Sequence, residues 1–331
     1  MHLYGLTFLY LHHLFLDSKH MDSLLKPFNP KHVSFGRHET FALRYAWLTK
    51  GFQAVAKNPH IFNDDAATVA LGVGKNMVNA IRYWLSATQM ISRTDKGVAP
   101  TALGTAIFSE TGFDPYLEDE ATLWLIHWLL ATNAESATAW YWFFNCFHKA
   151  EFSTEEVGFA LAEFVANNKD VKPSERTVKQ EIPLLLRMYA QTKIHPQNGM
   201  DEQLDSPLVS LKLIHYLAQT KSYRSLAAQQ LSLPIAVIGF AVNEIFNTLN
   251  VTQLPIADLM YSKEQKITLG AVFRLTESAL LAKLELLVAK YPQFYQINET
   301  AGLNQLHRIT DPINSLIFLE NYYPKYAVIA P

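Results

Sequence analysis

Residues 71–85 read LGVGKNMVNAIRYWL. Two readings compete for the glycine pair ahead of Lys75: a cradle for nucleotide phosphate, or the tight turn before a helix that reads DNA. A phosphate loop needs another glycine five positions before its final Gly-Lys, and Ser or Thr directly after the lysine. Those positions hold Val69 and Asn76, and the preceding DDAATVAL has a helical rather than a strand pattern. The cradle fails, so no nucleotide cofactor is expected.

Working outward, a helix-turn-helix accounts for both flanks. The pattern predicts a short helix over Asp65–Leu71, a turn at Gly72-Val73-Gly74 and a second helix over Lys75–Thr88. On that helix Met77, Ile81, Trp84 and Leu85 recur at core spacing. Asn76, Asn79, Arg82 and Ser86 share the opposite, polar face. The pieces MIS and VAPT then read as strands around the tip Arg93-Thr94-Asp95-Lys96-Gly97, and TALGTAIF opens another helix. This is the order of a winged helix-turn-helix.

Helical periodicity dominates elsewhere, over 41–56, 116–132, 155–166, 176–191, 208–219, 224–231, 235–249 and 276–290. The expected fold is therefore mainly α: winged helix-turn-helix units with short β-hairpins, plus additional helices. A second unit is expected from Ser222 onward, with a hairpin over 252–261 and 266–275. Its reading helix, IAVIGFAVNEIF, is almost wholly apolar, which points to packing or subunit contact, including a homodimer. A third hint is PSERTVKQEIPLLLRMY (173–189), where Ser174 can cap a helix displaying Arg176 and Lys179 as further DNA contacts, despite Pro183. The polar HPQNGMDEQLDSP (195–207) reads as a linker. It divides an N-terminal domain, 33–195, from a C-terminal domain, 206–331, with residues 1–32 an extension or arm. The apolar run in residues 1–20 is too short to span a membrane and lacks a signal peptide's basic start and small-residue cleavage site. Met21 reads as a normal start, so residues 1–20 are expected to be an upstream-start extension or a packed arm.

The 331 residues are 49% hydrophobic and 18% charged, a globular balance, and the net charge of −2 gives no overall polyanion signature. The charge is unevenly spread. Residues 31–104 carry nine Lys or Arg against four Asp or Glu, whereas residues 105–170 carry two against eleven. A basic block beside an acidic one reserves one face for phosphate. The single cysteine, Cys146, excludes an internal disulfide and a Cys-based zinc site, and fits a buried thiol in a reducing cytoplasm.

The expected DNA contacts follow. Lys75 sits at a helix start, where backbone N–H groups favour phosphate. Asn76, Asn79 and Arg82 suit base edges, and Arg93 and Lys96 at the wing tip reach a flanking phosphate or the minor groove. Two groups could perform phosphodiester cleavage. Asp114, Glu118 and Asp119 could hold a divalent metal, Mg²⁺ or Mn²⁺. The plainer alternative is a helix start, with Asp114 capping ahead of Pro115. In SFGRHETF (34–41), His38 could act as general base beside Glu39, with Arg37 or Arg44 clamping phosphate. The alternative there is a cap with surface ion pairs. His127, in WLIHWLL, reads as a satisfied core histidine. No HExxH, GxSxG or Cys/His zinc spacing occurs.

Three blocks carry a resemblance: SFGRHETFALRYAWLTKGFQAV (34–55), LGVGKNMVNAIRYWL and DPYLEDEATLWLIHWLL (114–130). Together with the closing LENYYPKY, they resemble the bacterial family catalogued as domain of unknown function 4007, over about residues 33–325. The resemblance implies a component of a DNA phosphorothioation system for anti-phage defence, akin to restriction-modification. Its implied partners are a cysteine desulfurase, a sulfur transferase and an ATPase. Its implied task is to nick one DNA strand so that sulfur can replace a backbone oxygen. A non-catalytic DNA-binding adaptor or scaffold is the alternative.

Overall fold

Gly72 ends one helix and Gly74 opens the next. Helix α1 (Tyr45–Lys57) buries Trp47, Leu48, Phe52 and Val55; α2 (Ala67–Leu71) and α3 (Lys75–Ala87) follow. Gly72 takes the left-handed conformation (φ 66°) that closes α2, where a side chain would be strained. The hairpin of β1 (Ile91–Thr94) and β2 (Gly97–Pro100) is antiparallel, with Thr94 opposite Gly97. Thr101 caps α4 (Ala102–Phe108) by accepting from the Gly104 N–H. This computed structural model describes residues 23–63, 66–168, 173–191, 206–261, 266–300 and 303–323. Asp65, residues 1–20 and most of the expected linker lie outside them.

After α5 (Glu120–Ala131) the order helix, strand, helix, helix, hairpin appears in full. It runs α6 (Thr138–Asn145), β3 (Glu151–Phe152), α7 (Thr154–Asn167), α8 (Glu175–Tyr189), β4 (His215–Leu217) and β5 (Ser222–Arg224). Ser153 and Glu156 form a capping box on α7, and Ser174 caps α8 as the sequence predicts. Pro183 stays within α8 on an exposed position. The order then recurs as α9 (Ile235–Leu249), β6 (Gln253–Pro255), α10 (Ile256–Met260), α11 (Leu269–Val272), α12 (Glu277–Lys290), β7 (Tyr295–Thr300) and β8 (Leu303–Arg308). A last helix, α13, covers Leu316–Glu320. The sheet orders are β3-β5-β4 and β6-β8-β7, so the first strand pairs with the last in both. In the first segment the Pro59 carbonyl takes the first strand's place, accepting from the Val98 N–H of β2 at 3.1 Å.

Three expectations are corrected. Residues 252–275 make no local hairpin: Pro255 has no N–H to extend a ladder, α10 and α11 follow, and β6 pairs with β8. Residues 225–231 are not helical, because the Ala228 N–H and carbonyl are taken by the Arg274 carbonyl and the Thr276 N–H. Residues 208–219 form a single 3₁₀ turn (Pro207–Leu211) and then β4, with Lys212 left-handed at φ 55°.

The core is built around α5, whose residues Ala121 to Ala131 are all buried. His127 is the satisfied core histidine the sequence predicts: its Nε2–H donates to the Val272 carbonyl at 2.8 Å, and its Nδ1 accepts from the Tyr189 hydroxyl at 2.9 Å. Trp128 stacks on Phe273 at 5.3 Å, Asn133 donates to the α3 carbonyl of Ala87 at 2.9 Å, and Thr122 meets the Tyr323 hydroxyl at 2.7 Å. All three segments thus converge on one helix and its exit. Buried side chains from Leu25 to Tyr323 form one cluster. Arg274, left-handed at φ 50°, lies inside and donates to the Phe143 and Phe147 carbonyls and the Ser225 hydroxyl at 3.0–3.2 Å. Among the described residues, no helix is long and apolar enough to cross a membrane.

Candidate nucleic-acid interface

Helix α3 contains no acidic residue. Its apolar register sinks Val78, Ile81, Trp84 and Leu85 into the core. That leaves Lys75, Asn76, Asn79 and Ser86 exposed, with Arg82 and Tyr83 at the margins. Lys75, Asn79, Arg82 and Ser86 are three or four residues apart and form one row; Asn76 and Tyr83, seven apart, form the next. The polar face expected from the sequence is therefore an outward face.

On the Tyr83 side, α3 meets the loop Gly36–Thr40. Tyr83 packs edge-on to His38 (5.7 Å between ring centroids) and donates to the Ser136 carbonyl at 3.0 Å. Burial, beside the Glu181 carboxylate, pushes the Tyr83 phenol well above its ordinary range. Three residues of this loop are left-handed: Gly36 (φ 73°), Glu39 (φ 52°) and Thr40 (φ 65°). For a β-branched threonine that conformation is strained, and the surroundings must hold it. Glu181 of α8 does so, accepting from the Gly36 N–H and facing His38 Nε2 at 3.0 Å. His38 Nδ1 accepts from the Thr40 N–H at 3.1 Å, so the ring proton sits on Nε2, toward Glu181. Arg187 of α8 donates to the Thr40 carbonyl at 2.8 Å.

This geometry corrects the role expected of His38. The residue is 1% exposed, with Nδ1 accepting from the Thr40 N–H and Nε2 turned toward the Glu181 carboxylate at 3.0 Å, so neither ring nitrogen is open to a substrate. Its neighbours Arg37 and Glu39 are exposed. His38 and Glu181 brace the loop that displays them. The sequence reading missed Glu181, although a signal existed: with Val178, Leu185 and Met188 it shares the buried face of α8, an unusual register for an acid.

Arg44 precedes α1, half-buried, with its guanidinium 5.1 Å from the Trp47 ring centre. Arg93 and Lys96 are exposed on the hairpin on the Arg82 side of α3. Arg176 is exposed on α8, whereas Lys179 pairs with Glu175 at 2.6 Å and lies over Phe159.

The acids of 114–119 are put to a different use. Both Asp114 carboxylate oxygens are taken by backbone, accepting from the Glu118 N–H at 2.8 Å and the Asp119 N–H at 3.0 Å. Asp119, not Asp114, is the cap of α5: it accepts from the Ala121 N–H at 2.8 Å and from the Tyr322 hydroxyl at 3.2 Å. Glu118 is exposed. Among the described residues, no three His, Cys, Asp or Glu side chains come together as a metal ion requires. With these oxygens committed to the chain itself, the trio does not fit a divalent ion.

The fold and this surface define a mainly helical protein that presents one acid-free helix between a braced loop and a hairpin. The chain belongs to the family described as protein of unknown function DUF4007, whose model matches residues 35–323. It is similar to a magnesium-ion-bound SspB crystal structure, with 28% identity and a TM-score of 0.79. It is also similar to a second SspB crystal structure, with 27% identity and a TM-score of 0.77; each comparison covers 89% of both chains. No curated protein matches the chain.

Proposed function

We propose that the protein binds duplex DNA with its first segment and nicks one strand in a cytoplasmic DNA phosphorothioation system. One observation carries this reading: the exposed face of α3 is cationic and amide-rich, without an acid. Helix, turn, helix and hairpin there form a winged helix-turn-helix, and the two later segments repeat it with the first strand beside the last. The first copy is the one fit for DNA. The outer face of α12 exposes Glu277, Glu285 and Leu286, which repel or ignore phosphate. In α3, Lys75 anchors a phosphate, Asn76 and Asn79 face base edges, and Arg93 and Lys96 straddle the adjacent backbone. Arg37 and Glu39, on the braced loop beside the same helix, are the groups set to act on that backbone.

Affinity for a short duplex should fall steeply with salt, as counterion release requires. Lys75→Glu should weaken binding roughly tenfold or more at low salt, because it reverses charge where the helix dipole favours an anion. Incubation of supercoiled plasmid with Mg²⁺ or Mn²⁺, and with chelator, should give open-circle product from the wild type and little from Glu39→Gln or Arg37→Ala. A tightly bound plasmid left supercoiled by pure protein would favour the alternative, an adaptor that recruits the sulfur-transfer enzymes and the ATPase. Affinity that ignores both salt and Lys75→Glu would end the DNA reading.

A further inference from the structure

Between α3 and the β1–β2 hairpin lies a cavity of about 230 Å³, lined among others by His60, Asn63, Arg82, Arg93 and Thr94. Two arginines, one from a helix and one from a strand, therefore line one space. Among the described residues neither makes an ion pair. The frame is firmly built. The Val98 N–H donates to the Pro59 carbonyl at 3.1 Å, and the His60 N–H donates to Asn58 Oδ1 at 2.9 Å. Gly97, at φ 114°, has no room for a Cβ, which would sit 2.7 Å from the Pro59 carbonyl and 3.1 Å from His60 Nδ1. The hairpin is thus seated directly on residues 59–60, which line the same space as Arg82 and Arg93.

Two like charges kept at one cavity repel unless an anion lies between them. Guanidinium forks match the paired oxygens of a phosphodiester, and the flanking imidazole and amide add polar contacts. The space exceeds what one phosphate fills and leaves room for the attached sugar. We infer that Arg82 and Arg93 grip one and the same backbone phosphodiester group, so that Arg82 is an anchor and not a reader of guanine. This inference rests on the DNA-binding reading above, and it changes the role the sequence alone gave Arg82.

Duplex affinity of the full-length protein is measured across salt for wild type, Arg82→Gln, Arg93→Gln and the double variant. A shared phosphate predicts that the double variant lowers the slope of log affinity against log salt by about 0.9 in all, and that each single variant lowers it by no more than that. Losses that add, near 1.8 for the double variant, would mean two separate phosphates and overturn the shared grip. So would an Arg82→Gln protein that keeps the slope but changes its base preference. A second measurement separates this inference from the one beneath it: titration of the protein with dimethyl phosphate, read at the arginine side-chain nitrogens by NMR. Resonances of Arg82 and Arg93 moving together would uphold the pocket even if no duplex bound. Silence from both would overturn it, even if duplex binding held.

Discussion

At the scale of single residues, buried ionisable groups set the clearest expectations. Burial drives the His127 imidazole down to about 3; the hydrogen bond to Val272 works against this and the Arg274 charge adds to it. In the unfolded chain the ring titrates near 6.5. Between those values only the unfolded chain holds the proton, so stability contributed by the neutral ring declines as pH falls through that window. Thermal melts from pH 7.5 to 4.5 should show a shallower acid decline for His127→Gln than for wild type; parallel curves would refute this. Glu181→Gln removes the charged acceptor shared by His38 and Gly36, and should cost about 1–3 kcal/mol in urea unfolding. Nicking should fall more than duplex affinity, because the α3 face itself is untouched. Cys146 is half-buried rather than buried as expected, but its surroundings push the thiol up to about 12, so it should react with a thiol reagent at pH 8 more slowly in the folded protein than after denaturation.

At the scale of elements, the hairpin gives the sharpest test. Gly97→Ala places a methyl against the Pro59 carbonyl in a strained left-handed conformation, and should cost about 1–3 kcal/mol while weakening duplex binding by displacing Arg93. Unchanged affinity would mean that the hairpin does not touch DNA. Residues 71–108 were legible in the sequence because each device there is local: Gly72 ends a helix, Trp84 and Leu85 mark the buried face, and Thr101 caps α4. The second segment was misread where pairing is distant. Nothing near Gln253 tells it to pair with His307, and nothing near Ala228 announces Arg274 and Thr276. Site residues divide in the same way. The outward side chains of α3 follow from helical period alone. The burial of His38 depends on Glu181, far along the chain on another helix, and so does the loop it braces.

At the scale of the whole molecule, the expected division at 195–207 falls on residues mostly outside those described, yet side chains from both sides of it share one core cluster. Arg274→Met keeps the bulk but strands the Phe143 and Phe147 carbonyls, and should lower stability by about 3 kcal/mol or more. A melt split into two transitions would show that the halves unfold separately; a single lowered transition is expected. The sequestered axle α5 has a further implication for how such a chain can be made and altered. An all-round apolar rod clothed by early, middle and late portions of the polypeptide stays exposed on the ribosome until nearly the last segment emerges. Dissection into halves should therefore give aggregating fragments rather than working modules, while the outer faces of the helices stay free to diversify.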